Sequence, residues 1–252
     1  MRLTTIGTGT AAPHATRSAP AHLVHAGDVT LLLDCGAGAL HRMASLGVNW
    51  QGITHVAISH FHADHVSDLV MLVMGWRWGQ LPARSNPVTV YGPAGTGELF
   101  ERLAAMYGAW MLAPGFPLTI REIAPDEVVR LPDGVELTAW PVPHTAESMA
   151  YSVVRGATRL VYTGDTGYDE GLADWAAGCD LLLAECSLPD GMAISGHLTP
   201  RQAGAIAARA HTRRLVLTHF YPPVETVDIA AEVAELYAGP LVLATDGWSI
   251  EI

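Results

Sequence analysis

The segment Ser59-His60-Phe61-His62-Ala63-Asp64-His65 places four metal-type side chains within six residues. It follows a strand-like apolar run at 53–58 and precedes an apolar helical pattern that starts at Val66. Such a density of imidazole and carboxylate at a strand end is not core packing. Residues two apart in an extended chain share a face, so His60 and His62 point to one side. Asp64 and His65 come after the chain has turned and face a second point nearby. Imidazole with carboxylate suits zinc, with iron or manganese as alternatives. One ion uses three or four such groups, so the remainder points to a second ion.

Working outward, three further strand-like runs each end on a residue of the same type. His144 closes Ala139-Trp140-Pro141-Val142-Pro143, Asp165 closes Leu160-Val161-Tyr162-Thr163-Gly164, and His219 closes Leu215-Val216-Leu217-Thr218. Any one alone reads as an ordinary satisfied polar group. Together with 60–65 they describe a metal site at the C-terminal edge of a layered α/β fold. The other histidines, His14, His22, His25, His41, His55 and His211, read as structural, with His14 in the first loop the exception to check.

The 252-residue chain carries 14 basic residues, all of them Arg, against 25 acidic ones, for a net charge of −11. The absence of lysine excludes a Lys nucleophile or Schiff base. The acidic balance argues against holding long nucleic acid on a broad basic face, since phosphate neutralisation needs clustered cations. With 50% hydrophobic and 15% charged residues the chain buries a large core, which excludes disorder, collagen and coiled coil. Cys35, Cys179 and Cys186 have no CxxC spacing and read as small buried hydrophobes. The start lacks a signal-like pattern and no apolar run approaches the ~20 residues of a membrane span. A cytoplasmic protein without membrane contact is expected.

Strands are predicted at 3–6, 21–25, 29–33, 53–59, 87–91, 118–123, 135–142, 150–154, 159–163, 181–184, 214–218, 241–244 and 248–252. Helices are predicted at 39–46, 67–78, 95–107, 200–210 and 227–237. Hairpin-like connections dominate the first half and strand–helix–strand alternation the second, which suggests sheets covered by helices. No linker interrupts the chain, so 1–252 reads as one domain. Loops at 79–86 and 108–117 are expected to line a cleft. Trp76, Trp78, Trp110, Met111 and Phe116 are expected to divide between core and an aromatic wall for substrate. The aromatics of 108–117 also suit a homodimer contact.

The chain resembles the metallo-β-lactamase superfamily, whose HxHxDH motif matches His60, His62, Asp64 and His65. The family's later ligands match His144, Asp165 in Thr163-Gly164-Asp165-Thr166, and His219 in Leu217-Thr218-His219-Phe220. The resemblance implies an α/β fold, a four-layer αββα sandwich with two divalent metals at one edge. It implies His60, His62 and His144 on one metal, Asp64, His65 and His219 on the other, and Asp165 bridging. Within the superfamily the chain is most similar to the ribonuclease Z-like branch, which includes small phosphodiesterases. Ile6-Gly7-Thr8-Gly9-Thr10-Ala11-Ala12-Pro13, Leu33-Asp34-Cys35-Gly36-Ala37-Gly38, Val90-Tyr91-Gly92-Pro93 and Ala244-Thr245-Asp246-Gly247-Trp248 carry that likeness. Ser195-Gly196-His197-Leu198-Thr199 resembles the branch's extra histidine motif. Three departures stand out. His144 and Asp165 are only 21 apart, which leaves no room for the arm that grips tRNA; Ala37 replaces an acidic residue; and Tyr221-Pro222-Pro223 replaces a polar stretch.

The expected activity is hydrolysis of small or short phosphodiesters by two metal ions, zinc first. Asp64 would orient and deprotonate the attacking water, and His197 would protonate the leaving group. Glu185, at the end of a strand, would fix the His197 tautomer. Asp34 reads equally as a turn residue or as an acceptor behind a ligand imidazole. The alternatives are a lactonase or other C–O/C–N hydrolase of β-lactamase type on the same centre, and a tRNA 3′-processing endonuclease without the usual arm. A redox or binding-only protein is disfavoured, because no ligand of the set is missing.

Overall fold

The structure is a computed structural model that describes residues 1–252. The first half of the chain forms β1 (Arg2–Gly7), β2 (Ala21–Ala26), β3 (Val29–Leu33), β4 (His55–Ala57), β5 (Val88–Gly92) and β6 (Leu118–Glu122). Between them lie α1 (Ala39–Ser45), α2 (Ala63–Val66), α3 (Leu69–Trp78) and α4 (Thr96–Tyr107). The second half forms β7 (Val129–Arg130), β8 (Val135–Pro141), β9 (Met149–Arg155), β10 (Thr158–Tyr162), β11 (Leu181–Glu185), β12 (Leu215–Thr218) and β13 (Leu241–Leu243). Its helices are α5 (Glu170–Trp175), α6 (Pro200–Arg209) and α7 (Ile229–Ala234). The last strand, β14 (Ser249–Glu251), returns to pair with β1.

Two seven-stranded sheets result, ordered β14-β1-β2-β3-β4-β5-β6 and β13-β12-β11-β10-β9-β8-β7. Three apolar layers hold them. One lies between the sheets and includes Leu31, Leu33, Leu137, Tyr151 and Leu183. A second packs α5, α6 and α7 on the outer face of the second sheet, and a third packs α1, α3 and α4 on the outer face of the first. The result is the expected αββα sandwich. β11 and β12 are buried along their whole length, so they read as continuous apolar runs, as central parallel strands covered on both faces must. β8 instead alternates buried and half-buried residues. Truncating a buried Leu in such a layer costs about 2–5 kcal/mol.

Strands β3 to β6 run parallel, as do β10 to β13. β8 is antiparallel to β9, and β9 to β10, so β8 points the same way as β10. The C-terminal ends of β3, β4, β8, β10, β11 and β12 therefore meet along one edge of the sandwich. Three of those ends turn off their strands through the left-handed region, at Asp34 (φ 58°), Gly164 (φ 59°) and His219 (φ 60°). Such backbone is uncommon for Asp and His, and it persists only where surroundings over-determine it.

Several expectations need correction. The strand expected at 53–59 pairs only over His55–Ala57, because the chain leaves the sheet to carry Ser59 and His60 to the edge. β7, α2 and α5 had no counterpart in the reading, and α7 is shorter at both ends. Trp76, Met111 and Phe116 are buried in the layer between the first sheet and its helices. Trp78 and Trp110 pair edge-on with each other at 5.2 Å on the outside of that layer. The loops 79–86 and 108–117 meet around a hollow lined by Trp78, Ala83, Arg84 and Pro114, which contains none of the metal-type residues. The aromatic wall and cleft are therefore not at the candidate site. No helix is long and apolar enough to cross a membrane.

Candidate metal centre

All seven metal-type residues singled out in the sequence converge at the shared strand edge. They form two groups, His60 with His62, His144 and Asp165, and Asp64 with His65 and His219. In the first group His62 Nδ1 lies 3.1 Å from His60 Nε2 and 3.0 Å from His144 Nε2. Asp165 Oδ2 stands 3.8 Å from both of those Nε2 atoms. The other oxygen, Asp165 Oδ1, turns to the second group, 3.2 Å from His65 Nε2 and 3.3 Å from His219 Nε2. Asp64 Oδ2 completes that group at 3.9 Å from His65 Nε2 and 3.7 Å from His219 Nε2. Donors at about 2.0–2.1 Å on a tetrahedral ion sit about 3.3 Å apart, so these spacings suit one cation in each group.

A layer of partners behind the imidazoles settles which nitrogen carries the proton. His65 Nδ1–H donates to Asp34 Oδ2 at 2.7 Å. Ser59 Oγ donates to the same oxygen at 2.8 Å, so it accepts from His60 Nδ1–H at 3.0 Å. His144 Nδ1–H donates to the Gly196 carbonyl at 2.7 Å. Ser187 Oγ donates to Glu185 Oε2 and therefore accepts from His219 Nδ1–H at 2.8 Å. Each of these four rings thus keeps a lone pair on Nε2, aimed inward. His65 Nε2, His219 Nε2 and Asp165 Oδ1 are buried and have no hydrogen-bond partner. Buried acceptors without donors are costly, and a divalent cation is the partner that satisfies all of them together. The residues present fit the metal ions that the donor set implies.

The electrostatics agree. Burial and the neighbouring His65 push His60 down to about 3, which keeps it neutral and available as a donor. Burial works to raise Asp64, but His219 and His65 outweigh it and bring it to about 2. Burial likewise opposes a charge on His65, yet Asp165 and Asp34 on either side raise it well above the ordinary range. Two carboxylates around one buried ring call for positive charge, as a proton on His65 or as a cation between them.

His197 stands beside these two groups and forms a third with Asp165 and His219. Its Nδ1 donates to Glu185 Oε1 at 2.9 Å and is 3.9 Å from Asp165 Oδ2. Burial works to lower its pKa, and the Glu185 hydrogen bond and charge raise it on balance. Glu185 is itself buried and held by the Thr166 N–H at 2.7 Å and the Leu198 N–H at 3.2 Å. The loop bearing His197 is pinned by the start of α6. There Thr199 and Gln202 form a reciprocal capping box with Pro200 at the first helical position. His14 belongs to a separate pair, 3.3 Å from Glu225.

Sequence reasoning missed Ser59 and Ser187, the hydroxyls that relay Asp34 to His60 and Glu185 to His219. It also missed Tyr162, whose hydroxyl donates to Asp34 Oδ2 at 2.7 Å. Ser59 adjoins His60 and Ser187 lies two residues beyond Glu185, but only the folded chain reveals their partners. Asp34 turns out to fill both of its readings, as a left-handed turn residue and as the acceptor behind His65.

Comparison with known proteins places this geometry. The family described as Beta-lactamase superfamily domain matches residues 30–220. The chain is 29% identical to a ribonuclease Z of Halorubrum lacusprofundi over 308 aligned positions, covering all of this chain and 97% of that protein. It is also 29% identical to a ribonuclease Z of Mycobacterium marinum, with 100% and 99% coverage. Among solved structures, the metallo-beta-lactamase fold protein YhfI of Bacillus subtilis aligns with a TM-score of 0.85 at 25% identity over 99% of this chain and 98% of that one. The short form of human tRNase Z aligns with a TM-score of 0.81 at 25% identity over 100% and 99%. The chain belongs to the beta-lactamase superfamily, as a metal-dependent hydrolase of the ribonuclease Z-like kind.

Proposed function

We propose that the chain is a phosphodiesterase that uses two divalent metal ions, zinc by preference, on small or short phosphodiesters. The observation that carries this reading is the division of the donors by Asp165, one oxygen toward His60 and His144 and the other toward His65 and His219. His60, His62 and His144 would hold one ion, Asp64, His65 and His219 the other, and Asp165 would bridge them. When bound, the ions polarise a phosphoryl oxygen and bring the pKa of water to about 7.

The remaining steps fall to the chain itself. Asp64 is the more exposed of the two candidate carboxylates, and it orients the attacking water and takes up its proton. His197 gives its Nε2 proton to the departing oxygen. Glu185 occupies Nδ1, fixes the ring plane and stabilises the charged imidazole. A separate proton donor suits the alkoxide that a phosphodiester expels, in contrast to the ring nitrogen of a β-lactam.

The small-substrate reading rests on shape and charge. The span from His144 to Asp165 is filled by the β9–β10 hairpin, with only Gly156 and Ala157 between its strands. Nothing projects there, and the chain carries a net charge of −11. A second reading, RNA 3′-end processing without that arm, is favoured by the full-length similarity to proteins named ribonuclease Z. The test is turnover of the zinc-loaded protein on bis(p-nitrophenyl) phosphate, nitrocefin, an acyl lactone and a precursor tRNA in parallel. Preference for the phosphodiester is expected. Preference for the lactone or nitrocefin would overturn the reading, and efficient cut precursor tRNA would replace it with the second.

A further inference from the structure

Tyr221 lies two residues beyond His219, and nothing above gives it a role. Its backbone N–H donates to the Ser187 carbonyl at 3.3 Å, and Pro222 and Pro223 follow it. The segment is therefore tied to the turn that follows β11, two residues beyond Glu185. The Tyr221 ring stands edge-on to His219, with centroids 5.7 Å apart at 78°, and edge-on to His197, at 6.0 Å and 70°. Those two imidazoles stack on each other at 5.5 Å and 18°. One phenol thus spans a candidate ligand and the candidate proton donor, on the half-exposed side of the site.

The charge around it matters. Asp64, Asp165 and Glu185 make this edge negative, and the two metal-type groups contain no arginine. Arg17, which lies over the Phe220 ring at 4.6 Å, is committed to Glu225 at 2.7 Å, Thr8 Oγ1 at 2.6 Å and the Ala244 carbonyl at 2.8 Å. The chain has no lysine to supply. An arriving phosphodiester therefore meets metal, His197 and neutral donors. A phenol hydroxyl donates to an anionic oxygen without adding a charge that would compete for the ligand carboxylates.

We propose that Tyr221 is a substrate-binding residue whose hydroxyl donates a hydrogen bond to an oxygen of the bound phosphodiester, beside His197. This rests on the phosphodiesterase reading above. Its ring supplies the flank that keeps His197 over the leaving group.

The test compares zinc-loaded wild type with Tyr221→Phe, which keeps the ring and removes only the hydroxyl. Calorimetry reads affinity for inorganic phosphate, and turnover of bis(p-nitrophenyl) phosphate reads KM and kcat separately. Tyr221→Phe is expected to bind phosphate about 10-fold more weakly and to raise KM by about the same factor, as for one lost hydrogen bond to a charged group. Its zinc content stays that of wild type and kcat stays within about twofold. Tyr221→Ala is expected to lose kcat as well. Wild-type phosphate affinity and KM in Tyr221→Phe would overturn the assignment and leave the phosphodiesterase reading standing. Loss of zinc from Tyr221→Phe would overturn it in favour of a structural role. A wild type that neither binds phosphate nor turns over the diester would sink both.

Discussion

At the residue scale the account turns on His197 and the carboxylate behind it. His197 groups with Asp165 and His219 but commits its Nδ1 to Glu185 at 2.9 Å, and in its proposed role it is a proton donor whose removal spares the metals. His197→Ala is expected to retain full zinc content by elemental analysis while kcat on a diester with an alkoxide leaving group falls by about 10²–10⁴. Zinc falling to half would make His197 a ligand instead. Its pH behaviour follows from Glu185. Burial alone would lower the imidazole pKa, and the Glu185 hydrogen bond and charge raise it. In the proposed role the acid form donates the proton, so activity that depends on it is present below the raised pKa and lost as pH rises through it. Glu185→Gln removes the charge that raises it, so the alkaline limb of the kcat profile should move to lower pH. An unmoved limb would mean that Glu185 does not tune His197.

At the element scale the site depends on close backbone approaches between turns. A Cβ at Gly36 would collide with the Asp64 carbonyl oxygen, and one at Gly167 with the Ser195 carbonyl. Gly36 joins β3 to α1, and Cys35 N–H also donates to the His65 carbonyl at 2.8 Å. Gly36→Ala must push α2 away and with it Asp64 and His65. We expect it to weaken zinc binding by about 10–100-fold in a competitive chelator titration, comparable to losing a partner behind the ligands. Unchanged affinity would mean that α2 tolerates displacement. The same elements explain what was legible beforehand. His60 to His65, His144, Asp165 and His219 could be read because metal-type residues at successive strand ends have no ordinary packing role. α6 could be read from the helical pattern over 200–210. By contrast α2 is a single turn set by its neighbours, with no periodicity to betray it. Ser59 and Ser187 each join a near neighbour to a residue from a distant strand, Asp34 and His219, which local sequence does not encode. Trp76 and Trp78 are two apart in α3 and so lie on different faces, but spacing alone does not say that Trp76 faces the outer layer and not the site.

At the scale of the whole molecule, an acidic chain gathers its metal-type residues at one edge. Four strand ends, of β4, β8, β10 and β12, carry the donors there, and β3 and β11 bring Asp34 and Glu185 behind them. The carboxylates of Asp34, Asp64, Asp165 and Glu185 lie behind or within that edge and are compensated by imidazoles and the implied cations. The central claim is that two cations, not one, make this edge a phosphodiesterase. The most direct measurement is turnover of bis(p-nitrophenyl) phosphate as metal-stripped protein is refilled with stoichiometric zinc. The account predicts activity that reaches its plateau at two equivalents per chain. A plateau at one equivalent, or undiminished activity in the stripped protein, would contradict it.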